Sequence, residues 1–480
     1  MKKDENSTFE APLYNALNSY IKQGYTPFHM PGHKQGKGFP VNILKNASKI
    51  DLTELPGLDD LHYPEGAIKK AQELAAELFR AERSYFLVNG STSGILASIM
   101  AICRPGQKII LQRDSHSSVV NGLILSGAEP VFIQSVYDKR FGINSAVEAG
   151  SLGKILKENP DAAGVVLTRP TYYGVCSDLG AIIKIAHSYG KPVVVDEAHG
   201  AHLGFADYLP ESAMDIGADI SIQSTHKTLP ALTQTALLHS RGNRIDIERL
   251  EYYLKVFQTT SPSYLLMASI DICRAIIKKD GNRLLVKLRG YIDSMAKQIE
   301  NCGCVRMMQT KDLAFGSRQD VTRLVLNFED AGLSGLQVSR ILRNDYRIQA
   351  EMADLYNVVF ISSVSDNKKD IEKLTLSLLK ICKSIKQPAV RGNNMPDLPP
   401  VPDRIIPLRE TTEHAAQKIL LKNANGLAAA TMLTPYPPGI PLVWPGEVIS
   451  EDIIAYFEAV AAHGGKINGV NGDMRVSVLG

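Results

Sequence analysis

Charge of one sign is what this chain has least of. Lys and Arg number 53 against 50 Asp and Glu, a formal excess of only +3 over 480 residues. So even a balance gives no electrostatic drive toward nucleic acid or an anionic membrane, and neither is expected as a partner. Long apolar runs are missing too, since none reaches the roughly 18 residues needed to cross a bilayer. The opening stretch Met1-Lys2-Lys3-Asp4-Glu5-Asn6 is polar and no apolar leader core follows it. The expectation is a soluble, cytoplasmic protein. Cysteine is sparse: six residues, at 103, 176, 273, 302, 304 and 382, of which only Cys302 and Cys304 are neighbours in sequence. A single C-x-C pair makes a poor metal site, so no metal is expected and the thiols read as buried and reduced. Two phosphate motifs are also absent. Without G-x-x-x-x-G-K-S/T there is no Walker loop, and without G-x-G-x-x-G a dinucleotide site is unsupported. What is present, 44% hydrophobic and 21% charged residues, supports a large core and excludes global disorder.

The apolar residues are arranged in a repeating way. Ala71, Leu74, Ala75, Leu78 and Phe79 recur at helical steps. Short β-branched runs follow at Tyr85–Val88, Ile109–Leu111, Val131–Ile133, Val165–Leu167, Val193–Val195, Ile220–Ile222 and Ala236–Leu238, alternating with helical stretches. Continuously apolar strands separated by helices predict an α/β domain with a mainly parallel seven-stranded sheet buried on both faces. Helices are predicted from Tyr264 to about Lys279 and from about Arg283 to Glu300. Strand Arg323–Phe328, helix Ser334–Arg343, strands near Arg347–Ala350 and Val358–Ser362, and helix Lys368–Ser384 come next. The expected division is an N-terminal segment (1–60), a large domain (61–255), a smaller α+β domain (256–386), a Pro-rich linker (387–403) and a C-terminal α+β domain (404–480).

Four segments carry chemistry, each just after a predicted strand. Ser224-Thr225-His226-Lys227 follows the strand ending at Ile222, and its lysine is either a surface charge or a nucleophile. Asp196 ends the run Val193–Val195 and serves either to cap the next turn or to pair with a pyridinium nitrogen. Asn89-Gly90-Ser91-Thr92-Ser93-Gly94 precedes the apolar helix Ile95–Ile102. Small residues, hydroxyls and a helix N-terminus there suit a single phosphate, although Ser91 or Thr92 could be only an N-cap. Asp114-Ser115-His116-Ser117-Ser118 places His116 either as an ordinary loop histidine or against a flat ring.

Together these segments resemble the pyridoxal-phosphate enzymes of fold type I, the aspartate-aminotransferase-like fold. The nearer resemblance is to the Orn/Lys/Arg decarboxylase family, in its short bacterial form similar to biosynthetic arginine decarboxylase. It is carried by Pro27-Phe28-His29-Met30-Pro31-Gly32-His33-Lys34, Gly57-Leu58-Asp59-Asp60-Leu61-His62, Asn89–Gly94, Pro170-Thr171-Tyr172-Tyr173-Gly174, Asp196-Glu197-Ala198-His199-Gly200-Ala201-His202, Ser224–Lys227 and Tyr436-Pro437-Pro438-Gly439-Ile440-Pro441. These stretches span nearly the whole chain in the family's order.

The resemblance implies a role for each residue. Lys227 carries the cofactor, pyridoxal 5'-phosphate, as a Schiff base, Asp196 keeps its ring nitrogen protonated, and His116 stacks on the ring. Ser91, Thr92, Ser93, Ser224 and His226 surround the phosphate, and His199 lines the ring edge. Thr259 and Thr260 resemble the stretch by which a neighbouring subunit completes that site, which implies a homodimer or larger homo-oligomer with shared active sites. Lys227 or His226 returns the proton to the α-carbon. Glu351 and Asp354 receive the cationic end of a basic amino acid substrate, or are solvated strand-end charges. The implied reaction is decarboxylation, of arginine to agmatine ahead of lysine or ornithine, in polyamine biosynthesis. The alternative is a fold-type-I aminotransferase or carbon–sulfur lyase. An aminotransferase needs a small-domain arginine, for which Arg323 and Arg347 are candidates, although both read as surface residues.

Overall fold

Runs this short and this rich in β-branched residues cannot complete a helix, and turn formers at both ends leave them as strands. A computed structural model describes residues 19–39, 47–384, 398–436, 440–462 and 464–480. Residues 1–18 and 40–46 of the N-terminal segment, most of the Pro-rich linker, and Pro437-Pro438-Gly439 lie outside the described residues. Seven strands form one sheet: β1 (Arg83–Leu87), β2 (Lys108–Gln112), β3 (Glu129–Ile133), β4 (Val165–Thr168), β5 (Val193–Asp196), β6 (Ile220–Gln223) and β7 (Ala236–Ser240). Their order is β1-β7-β6-β5-β4-β2-β3. Only β7 runs antiparallel to its neighbours.

Successive side chains point to opposite faces. Ile109, Leu111 and Val194 enter one core, while Ile110, Val193 and Val195 enter another, so both faces are covered. Because β7 alone reverses, the carboxyl ends of the other six strands open on the same edge. The four chemistry-bearing segments follow β1, β2, β5 and β6, and the topology delivers them to one crevice.

Two helices were expected between Tyr264 and Glu300, but one continuous helix of 37 residues forms. It is called α2, after α1 (Gly90–Ile102) on the large sheet. Met267, Ile270, Cys273, Ile277, Gly281, Leu285, Leu288 and Ile292 keep to steps of three and four, so the buried stripe runs through Gly281 without a break. Its first half packs with Phe86 and Leu237 of the large sheet, and its second half with the smaller one. That sheet pairs Arg306–Met307, β8 (Arg323–Asn327), β9 (Asn357–Ile361) and Met352–Ala353, all antiparallel. Leu324, Leu326, Val358 and Phe360 face α2 and α3 (Lys368–Ser384). Thr26–Phe28 pairs in parallel with Ile348–Ala350 and ties the N-terminal segment to this unit.

The last part of the chain has its own core. Strand Ala416–Leu420 pairs with Arg475–Leu479, and helix Glu451–Ala462 buries Ile453, Phe457 and Val460. It docks on the large sheet through Trp444, whose ring meets Phe132 of β3 edge-on at 5.1 Å. The Arg113 guanidinium lies 4.5 Å from the Trp444 ring centre and 5.0 Å from that of Phe132. Glu447, fully buried, accepts from Arg113 at 2.7 Å and from Arg404 at 2.9 Å. Removing one partner of a buried ion pair leaves its counter-charge without compensation. Glu447→Ala should therefore destabilise the fold by about 3–5 kcal/mol in urea unfolding, with early proteolytic release of the C-terminal part.

Candidate active site

The crevice has a polar end and a basic end. At the polar end β1 turns through Gly90, at φ +75°, into α1. A side chain is strained in that left-handed conformation, which glycine adopts freely. Asn89 makes no side-chain cap, and Ser91 is the second residue of α1 rather than its cap. The Ser91 hydroxyl lies 2.6 Å from that of Ser224, which follows β6. Ser93 turns back to the Gly90 carbonyl at 2.8 Å, and Thr92 is exposed on the first turn. Two facing hydroxyls at an uncapped helix N-terminus suit a phosphate dianion.

At the basic end Lys227 sits on the one-turn helix Thr225–Thr228. Its Nζ is 3.2 Å from His199 Nε2, and His199 Nδ1 is 2.9 Å from Nη2 of Arg323. A guanidinium only donates, so His199 Nδ1 must accept. The neutral ring then carries its proton on Nε2 and donates to Lys227, which can accept only as a free amine. Burial holds Lys227 below the ordinary lysine range. The Asp196 carboxylate opposes that shift, Arg323 adds to it, and Glu351 opposes it. His199 lies well below the ordinary histidine range, through burial first, with the Arg323 charge adding to it. Tyr172 meets the His199 ring edge-on at 4.8 Å.

Arg323 corrects the reading of a surface charge. It is only 1% exposed, at the first position of β8, and its Nε and Nη1 have no hydrogen-bond partner among the described residues. An arginine opening an apolar strand looks in sequence like any strand-end cation, and only the packing of β8 against the crevice reveals it. Arg347 does lie at the surface.

The remaining candidates separate. Asp196 is buried, accepts the Ala198 N–H at 3.1 Å, and its charge acts on both Lys227 and His116. His116 is exposed to a cleft of about 740 Å³ whose far wall, including Thr434, Asn468 and Ser477, belongs to the C-terminal part. His226 Nδ1 is 2.9 Å from the Thr235 carbonyl, and burial pushes its pKa down to about 4. Its backbone carbonyl accepts from Gly32 at 2.7 Å, which docks the Pro31-Gly32-His33-Lys34 loop beside Lys227. A Cβ on Gly32 would lie 2.7 Å from the Leu229 carbonyl oxygen, so only glycine allows that approach.

Glu351 reaches the same neighbourhood, accepting from the Met30 N–H at 2.9 Å and the Tyr172 hydroxyl at 2.6 Å. Asp354 is committed to its own turn, accepting from the backbone of Tyr356 and Asn357 and from the Tyr173 hydroxyl at 2.7 Å. Thr259 and Thr260 are exposed on the loop before α2, where the Thr259 carbonyl meets His62. The donor set matches pyridoxal phosphate in kind: a hydroxyl cup for an anion, a buried carboxylate for a ring nitrogen and a free amine for an aldehyde.

Residues 11–315 match the major domain of the Orn/Lys/Arg decarboxylases, and residues 407–476 match their C-terminal domain. An arginine decarboxylase of Bacillus subtilis is 39% identical over 458 residues, 94% of this chain and 93% of the relative. Among solved structures, a lysine decarboxylase of Francisella novicida superposes with a TM-score of 0.79 at 20% identity, covering 98% of this chain and 80% of that one. A ureidoglycine–glyoxylate aminotransferase of Bacillus subtilis gives 0.59 at 14% identity, over 77% of this chain and 95% of the other. Both share the fold-type-I architecture.

Two predictions follow the protonation pattern. Arg323→Gln removes a positive neighbour, so the Lys227 pKa should rise. The pH dependence of Lys227 reductive methylation in cofactor-stripped protein measures it. His226, neutral in the fold, is protonated more readily once unfolded. The stability it contributes is full above pH 6.5 and is lost as pH falls toward about 4. Urea midpoints over that window should fall less steeply in His226→Gln.

Proposed function

The chain belongs to the Orn/Lys/Arg decarboxylase family, and from that premise we propose that it is a pyridoxal-phosphate-dependent carboxy-lyase converting arginine to agmatine and carbon dioxide. The observation that carries this reading is the Lys227 amine, held as a free base by His199 within the field of Asp196. The choice of arginine is supported by the arginine decarboxylase of Bacillus subtilis, with lysine and ornithine as the competing substrates. Supply of polyamines is the corresponding role.

Pyridoxal phosphate, when bound, supplies an aldehyde that condenses with amines and a protonated ring that accepts the electron pair left when carbon dioxide departs. Lys227, accepting from His199, would offer its amine to that aldehyde. Asp196 would keep the ring nitrogen protonated. Ser91 and Ser224 would hold the phosphate, and His116 would pack against the ring. The open Nε and Nη1 of Arg323 would receive the substrate carboxylate.

Return of the proton falls to Lys227 rather than His226. His226 keeps its proton on Nδ1, bonded to the Thr235 carbonyl, and a pKa of about 4 leaves its other nitrogen bare at neutral pH. Glu351 is the better acceptor for the distal cation, since each oxygen uses only one lone pair, whereas Asp354 is saturated by its turn and Tyr173. The exposed Thr259 and Thr260 would serve a neighbouring subunit's phosphate site in a homo-oligomer.

The test is carbon dioxide release from arginine, lysine and ornithine side by side. Arginine should be turned over best, Lys227→Ala should lose all turnover, and Glu351→Gln should weaken binding of the preferred substrate by ~2–5 kcal/mol with the cofactor spectrum unchanged. A Lys227→Ala variant with full activity would overturn the assignment.

A further inference from the structure

Three of the six cysteines that look scattered in sequence come together in space. Cys302 Sγ lies 3.4 Å from Cys304 Sγ and 3.4 Å from Cys382 Sγ, across 80 residues of chain in the second case. All three sulfurs lie within 4.8 Å of one another. The expectation of uniformly buried thiols fails here, because Cys302 and Cys304 are only partly buried and can be reached from solvent.

Two features make this more than a packing accident. First, zinc–sulfur bonds of ~2.3 Å in a tetrahedral shell put the sulfurs ~3.8 Å apart, close to the spacing observed. Second, two helices end at the cluster: α2 at Glu300, just before Cys302, and α3 at Ser384, just after Cys382. Helix C-termini carry partial negative charge, which disfavours free thiolates and favours a cation.

We propose that Cys302, Cys304 and Cys382 bind one zinc(II) ion as three thiolates, with a water completing the shell on the exposed side. Binding one ion to three thiols releases three protons and leaves the ensemble with a charge of −1; no electron is transferred. The ion clamps the end of α2 to the end of α3 and lies in the smaller domain, away from Lys227.

The full chain, purified without chelator under reducing conditions, should hold one zinc per chain by plasma mass spectrometry. Cadmium(II) added to chelator-treated protein should give a thiolate charge-transfer band in the ultraviolet that saturates at one equivalent. Cys302→Ser and Cys382→Ser should each weaken cadmium binding at least tenfold, whereas Cys103→Ser, in the core of the large sheet, should not. Chelation should lower the melting temperature of the wild type but not of Cys382→Ser. Decarboxylation should be unchanged in all three variants. If the wild type shows no saturable cadmium band, if the band survives in both cluster variants, or if protein purified without air carries a Cys302–Cys382 disulfide, the site is refuted.

Discussion

A guanidinium can give hydrogen bonds but never take one, and it keeps its charge when buried. Arg323 is such a group, and its placement against His199 sets the protonation of everything beside it. His199 must accept at Nδ1, must therefore hold its proton at Nε2, and must therefore face a lysine that is a bare amine. These residues come from different parts of the chain. Arg323 opens β8 of the smaller sheet, whereas His199 and Lys227 follow β5 and β6 of the larger one. The reactivity of the lysine thus depends on how the two units are held together. The Pro31–Lys34 loop is one of the ties: Gly32 bonds the His226 carbonyl, while the buried Lys34 amine bonds the Ile361 carbonyl at the end of β9, at 2.6 Å.

Some of this was legible in the sequence and some was not, for reasons that can be named. The seven sheet strands were legible because both faces are covered, so every position is apolar and the runs stand out against their turns. The crevice was legible because its residues sit immediately after those runs. Helix α2 was misread as two, since Asp280-Gly281-Asn282 looks like a stop; what continues the helix is the stripe on its other side, which a local break signal does not weigh. Arg323 was missed because burial is a property of the assembled fold. The cysteine trio was missed for the same reason, with one of its members 80 residues distant. For Glu351 and Asp354 the sequence offered two equivalent carboxylates, and their hydrogen-bond partners distinguish them.

The C-terminal part contributes to the crevice without supplying any of the residues singled out for cofactor chemistry. Its docking depends on two arginines that share one buried glutamate beside Trp444. Burying two positive charges is tolerable only because Glu447 answers both and the aromatic faces of Phe132 and Trp444 take up the rest. The result is a wall that faces His116 across the cleft.

Helix α2 belongs to both hydrophobic cores, and at ~1.5 Å per residue its 37 residues form a rod about 55 Å long. The segment around Met267–Ile277 is gripped by one core and that around Leu288–Ile299 by the other, with Gly281 between them. Such a rod acts as a lever with its fulcrum near Gly281. Tilting one unit against the other must either bend the rod there or swing its ends in opposite senses. One end carries the loop with the exposed Thr259, Thr260 and Ser261, and the other carries Cys302 and Cys304. The rod thus fixes the separation of those two ends at some ten helical turns.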